Sequence, residues 1–185
     1  LNGSASTTGG NDVVIRNNII NGPQYGIYIN ASDRGATNPI QVYNNMINTS
    51  YAGTGANAGI YTTGSDYVNL DFNSIYVEGG NTSTSNLQGG IVTTGTTADG
   101  SINIRNNVMF NNGNGADDFA ISVATTVDIA TISNNAYWAP NATNIAYWGA
   151  DQADFATFVG NSGETGAVNA DPQFTSTTDL HAAAL

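Results

Sequence analysis

The 185-residue chain carries three arginines, no lysine and fourteen carboxylates, giving a formal net charge of −11, and only 9% of its residues are charged. Without clustered cations it has no means of neutralising nucleic-acid phosphates, which excludes that partner class. The lack of cysteine removes disulfides and thiolate chemistry, and no apolar run reaches the roughly 18 residues of a membrane helix, so membrane insertion is not expected.

Residues 1–12 read as an irregular lead-in of Ser, Thr, Gly and Asn. From Val13 onward one phrase then recurs five times: VVIRNNII from Val13, IQVYNNMI from Ile40, VNLDFNSI from Val68, INIRNNVM from Ile102 and ATISNNAY from Ala130. Within each phrase apolar and polar residues alternate with the period of a strand, so that Val13, Ile15 and Asn17 share one face, as do Ile40, Val42 and Asn44. A second apolar motif follows each phrase: GIYI at Gly26, GIYT at Gly59, GIVT at Gly90, AISV at Ala120 and a degenerate IAYW at Ile145. The Gly-, Asn-, Ser- and Thr-rich stretches between them vary in length and read as loops leaving a fixed repeat.

A period near 28 residues with short strands and no helical periodicity predicts an all-β, right-handed parallel β-helix of about five coils, each stacked on the next at about 4.8 Å. Alignment of the phrases puts Asn18, Asn45, Asn73, Asn107 and Asn135 in one column. Stacked amides can bond to their equivalents above and below, so these residues are expected to form a structural ladder. On the outer face the same alignment sets Arg16 over Tyr43 and Asp71 beside Arg105, predicting a cation–π contact and an ion pair. The expected inner core includes Val13, Ile15, Ile40, Val42, Val68, Leu70, Ile102, Ile104 and Ile132, and Ile27, Ile60, Ile91 and Ile121 should line a second wall. The coils fill residues 13–148. Over residues 149–181, Phe155, Phe158 and Val159 recur at helical spacing and predict a short helix. Residues 1–181 thus read as one domain. The final AAAL, residues 182–185, reads as a vector-derived junction, which would make the chain a piece of a longer protein with further domains.

From Val13 to His181 the chain resembles the right-handed parallel β-helix repeat proteins of the pectate-lyase-like superfamily. The resemblance is carried by the NNxI-like phrases, the GIY motifs and the closing NADPQFTSTTDLH, and it implies that Asp179-Leu180-His181 completes a closing strand within residues 149–181. It implies a bacterial secreted or cell-surface protein, such as a multidomain adhesin, or else a polysaccharide lyase or hydrolase. A lyase of this kind implies a Ca²⁺-binding carboxylate cluster and an Arg or Lys, but lysine is absent and two arginines belong to the outer column. A hydrolase needs convergent carboxylates with separated pKa values. Asp117 and Asp118 are the one adjacent pair; they resemble the paired aspartates of polygalacturonases, but the accompanying Asn-Thr-Asp, Gly-His-Gly and Arg-Ile-Lys signatures are missing. The balance therefore leans against catalysis, with Asp117 and Asp118 the candidates should there be any. No cofactor is required, although Asn112, Asn114, Asp117 and Asp118 lie on one Gly-rich loop with oxygen ligands suited to Ca²⁺. Tyr28 and Tyr61, at equivalent outward positions in successive coils, are candidates for stacking on a polysaccharide or cell-surface glycan. The expected function is a non-catalytic structural or binding module, with carbohydrate binding or processing as the alternative.

Overall fold

The structure, a computed structural model, describes residues 13–182 except Pro23, Asp33, 80–87, 96–97 and Ala116. The lead-in 1–12 and residues 183–185 of the expected junction lie outside the described residues. Each coil contains three short strands. The first coil runs β1 (Val14–Arg16), β2 (Ile19–Gly22) and β3 (Tyr25–Asn30); the second β4 (Ile40–Tyr43), β5 (Met46–Ser50) and β6 (Asn57–Thr63). The third runs β7 (Val68–Asp71), β8 (Ser74–Glu78) and β9 (Gln88–Thr94), and the fourth β10 (Ile102–Arg105), β11 (Val108–Asn111) and β12 (Ile121–Val123). The fifth runs β13 (Ile129–Ser133), β14 (Ala136–Trp138) and β15 (Ala146–Trp148). Every strand pairs in parallel with its equivalent one coil on, which makes the chain an all-β parallel solenoid of about five turns.

Side chains that point inward stack in three columns. Ile15, Val42, Leu70, Ile104 and Ile132 form one, Ile27, Ile60, Ile91, Ile121 and Ala146 a second. The third, Ile20, Ile47, Ile75, Met109 and Tyr137, comes from the second half of each repeated phrase. Most of these side chains are at most 2% exposed, and each contributes about 1.5–3 kcal/mol of burial. In the first coil Val13, Ile15 and Ile20 are only partly buried, because no described coil lies beneath them.

The doubled asparagine in the phrase has two separate jobs. The first strand of each coil ends just before it, and Asn17, Asn44, Phe72, Asn106 and Asn134 take left-handed backbone with φ of 54–57°. Asn17 and Asn44 are therefore turn residues, not members of the strand face on which alternation placed them. Asparagine tolerates this conformation better than most L-residues do. The turn directs the following asparagine inward. Asn18 Nδ2 donates to Asn45 Oδ1 at 2.9 Å, Asn45 to Asn73 at 3.0 Å, Asn73 to Asn107 at 3.0 Å and Asn107 to Asn135 at 3.1 Å. Each of these oxygens also accepts the backbone N–H of the preceding ladder residue. Asn45, Asn73, Asn107 and Asn135 are at most 1% exposed, so the ladder satisfies groups that water cannot reach.

The expected outer contacts form: Arg105 grips Asp71 through two bonds of 2.8 and 2.9 Å, and the Arg16 guanidinium lies 5.9 Å from the Tyr43 ring centre. With the Arg105 side chain 38% exposed, that pair contributes at most about 1 kcal/mol.

Beyond the fifth coil, β16 (Asp151–Gln152) turns back antiparallel to β15, and helix α1 (Phe155–Ser162) lies over the end of the solenoid with Phe158 fully buried. The Asp154 carboxylate accepts the Thr157 N–H at 2.8 Å and starts the helix, and Gly163, at φ 68°, ends it. The last strand is β17 (Val168–Asn169), parallel to β14. No strand forms at Asp179-Leu180-His181. Instead the segment after β17 runs back along the outside: Phe174 stacks on Phe110 of the fourth coil, and Thr178, Asp179 and His181 line a hollow of about 490 Å³ together with Asn17, Asn18, Ile19 and Asn44 of the first two.

Candidate functional site

Tyr28 and Tyr61 occupy equivalent positions in β3 and β6, and their rings stack at 5.3 Å between centres, with 21° between planes. Tyr25 completes the cluster at 5.3 Å from each. Three residues before Tyr28, it has the wrong parity to share a strand face. The pairing of β3 with β6 keeps one register on both sides of Gly26, where a Cβ would overlap Ile47 and the Gly59 carbonyl. Burial, then the neighbouring Tyr61, Tyr28 and Tyr51 hydroxyls, push the Tyr25 phenol above its usual value. The Tyr61 hydroxyl also bonds to Thr94 at 3.3 Å. All three rings are half-buried and lie against one another, which leaves their edges and hydroxyls as the groups most open to a ligand.

Asp117 and Asp118 do not present a matched pair. The Asp118 carboxylate is 3% exposed and folds into its own loop, where it accepts the Gly115 N–H at 2.6 Å and lies against Gly113. Burial raises its pKa, against the lowering effect of the Gly115 and Asn114 amides. Asp117 is half-buried, and desolvation, then Asp151 and Asp118, raise its carboxyl above the usual range. Asn112 and Asn114 are exposed and, with Glu78, Gly79 and Asn141, line a hollow of about 660 Å³. Asn112 Oδ1 there accepts Asn141 Nδ2 at 3.3 Å. The Asn112 and Asn114 oxygens could serve a cation together with Glu78, while the Asp118 oxygens are turned to their own backbone. Among the described residues no group of three or more His, Asp or Glu side chains is arranged to hold a metal ion. His181, the single imidazole, is exposed beside Asp179, and its hydrogen bond holds that carboxyl below the usual range.

One site is absent from the sequence reading. Glu164, between α1 and β17, ends the asparagine ladder: its Oε1 accepts Asn135 N at 3.0 Å and Nδ2 at 2.8 Å, and its Oε2 accepts the Tyr137 hydroxyl at 2.5 Å. Burial raises its pKa, and the three donors pull it back. The Tyr137 phenol is held well above its ordinary value by burial and by the Glu164 charge. Its one sequence signal is spacing, since Glu164 follows Asn135 by about one coil length.

No protein-family model matches the chain, and searches of curated proteins and of solved structures likewise return no match.

Proposed function

We propose that the chain is a non-catalytic structural or binding module of a secreted or cell-surface protein, belonging with the right-handed parallel β-helix repeats of the pectate-lyase-like superfamily and bacterial in origin. The observation that carries the reading is where the buried carboxylates go. Asp66 accepts the Ala98 N–H at 3.1 Å, Asp118 that of Gly115, and Glu164 three ladder donors. Asp71, on the outside, is held by Arg105. Acid–base hydrolysis needs two carboxylates facing one substrate bond, whereas backbone amides take up Asp66 and Asp118, Asn135 and Tyr137 take up Glu164, and the remaining buried carboxylate among the described residues, Asp128, whose Oδ2 has no partner, stands alone. A surface met by Asn, Thr, Ser and Gly in place of ions suits a rigid spacer that carries loops outside the cell.

Carbohydrate binding is the second reading, favoured by the Tyr25, Tyr28 and Tyr61 cluster. Neutral and acidic oligosaccharides titrated calorimetrically against wild type and a Tyr28→Ala, Tyr61→Ala double variant separate the two. The spacer reading expects no saturable heat from either protein. Saturable binding lost in the double variant would replace it with the glycan reading. Product release from an acidic polysaccharide, abolished by Asp117→Asn, would overturn the non-catalytic proposal altogether.

A further inference from the structure

We infer that the outer face of the sheet containing β8 and β11 carries a binding site for a small organic cation of the alkylammonium class. Pairing of the two strands sets Tyr76 beside Phe110 on that face, and their rings meet edge to face at 5.0 Å between centres and 81° between planes. The segment after β17 brings Phe174 across them, 6.4 Å from Phe110 and within 29° of parallel. A full face-to-face stack would put ring centres roughly 3.5–4.0 Å apart, so Phe110 and Phe174 each keep face area that the other does not cover. The three rings are half-buried and, with Asp171, Gln173 and Ser176, line a hollow of about 270 Å³. Sites for drug-sized ligands run to roughly 300–1,000 Å³, so the occupant of this one is smaller.

Charge and shape select the ligand. Among the described residues Asp171 is the one charged side chain lining the hollow, and its Oδ1 accepts the Gln173 N–H at 2.8 Å, which fixes the carboxylate at the rim. Glu78 lies close enough to Tyr76 to add to burial in raising its phenol. With no arginine lining it and a net charge of −11 on the chain, the hollow repels anions and favours a cation. Aromatic faces attract a cation through the ring quadrupole, more strongly as water is excluded. Shape separates a cation from a sugar. A flat pyranose needs an open ring face to stack on, whereas two rings at right angles with a third across them suit a compact, rounded group such as trimethylammonium. The Tyr25, Tyr28 and Tyr61 cluster lies on a different sheet, so the inference stands or falls separately from glycan binding there and from the spacer reading.

Calorimetric titration of the full chain with choline, with its uncharged isostere bearing carbon in place of nitrogen, and with glucose tests the site, and far-UV circular dichroism confirms that each variant keeps its strands. Choline should bind saturably in the millimolar range, about tenfold or more tighter than the isostere, and should weaken as salt is added. Asp171→Asn keeps the acceptor for the Gln173 N–H but not the charge, and should weaken choline about threefold. Phe174→Leu keeps an apolar anchor on the segment but removes the ring, and should weaken choline about threefold or more, whereas Phe174→Tyr should hold the wild-type affinity. Tyr28→Ala, on the other sheet, should leave choline binding unchanged. No saturable binding of choline, equal affinity for the isostere, glucose bound more tightly than choline, or indifference to both Asp171→Asn and Phe174→Leu each overturns the inference.

Discussion

Replacing Asn107 with alanine should be among the most damaging conservative changes in the molecule. Its Nδ2 donates to Leu70 O at 2.8 Å, Arg105 O at 3.1 Å and Asn135 Oδ1 at 3.1 Å, and its Oδ1 accepts Asn73 N and Nδ2, both at 3.0 Å. Asn107→Ala strands the Asn73 N–H outright. The Asn73 Nδ2 keeps Val42 O and Asp71 O, and Asn135 Oδ1 keeps the Asn107 N–H, so the damage concentrates on that amide and on the carbonyls that lose a donor. At about 1–3 kcal/mol per buried group left unsatisfied, the loss is about 2–5 kcal/mol. That is a large share of the ~5–15 kcal/mol typical of a folded chain, and corresponds to a melting temperature lower by about 5–15 °C. Asn18→Ala is the control: Asn18 is exposed, and its loss leaves Asn45 Oδ1 with the Asn18 N–H, so the cost should stay below about 1 kcal/mol. Guanidinium denaturation followed by far-UV circular dichroism measures both. Equal costs for the two substitutions would refute the ladder as a buried hydrogen-bond relay.

Burial raises the Glu164 carboxyl above its ordinary 4.5, so the folded state binds that proton more tightly than the unfolded chain does. The resulting stabilisation is complete below about pH 4.5 and is lost as pH rises through the folded value. Urea denaturation across that interval should show Glu164→Gln gaining on wild type with rising pH, with Asp117 and Asp118 cancelling because both proteins retain them; a difference independent of pH would contradict the buried carboxylate. Gly59→Ala should cost about 1–3 kcal/mol, read from the denaturation midpoint, because a Cβ there overlaps Ile75 Cγ2 and the Gly90 carbonyl. Phe72→Asn should stabilise the fold by about 0.5–1 kcal/mol, since Phe72 holds φ 56° with its ring 59% exposed, where four other coils use asparagine.

The solenoid, the ladder column and the first two core walls were legible because each rests on a side chain recurring at a fixed offset. The third wall was harder to see. Its strands begin directly after the ladder asparagine, so Ile20, Ile47 and Ile75 looked like the tail of the first strand. Alternation misled at Asn17 and Asn44, since pattern alone cannot mark the residue at which φ turns positive. Glu164 escaped because chemistry, not identity, is kept at the end of the ladder: a carboxylate accepts the two N–H groups that an asparagine oxygen would, and no further rung has to be supplied with donors. Asp179-Leu180-His181 was expected as a closing strand although three residues are too few to show an alternation; the segment is held instead by Phe174 against Phe110 and by the buried Leu180. The tyrosine pair was visible from register, whereas Tyr25, three positions before Tyr28, stands at a position that alternation assigns to the other face.

Hydrogen exchange of ¹⁵N-labelled asparagine side-chain amides tests the stacked-coil architecture most directly. Asn45, Asn73, Asn107 and Asn135 should exchange slowly and show cross-peaks to the neighbouring rungs, and Asn18 should exchange fast. Rapid exchange at all five, or contacts that place β4 antiparallel to β7, would contradict the parallel solenoid.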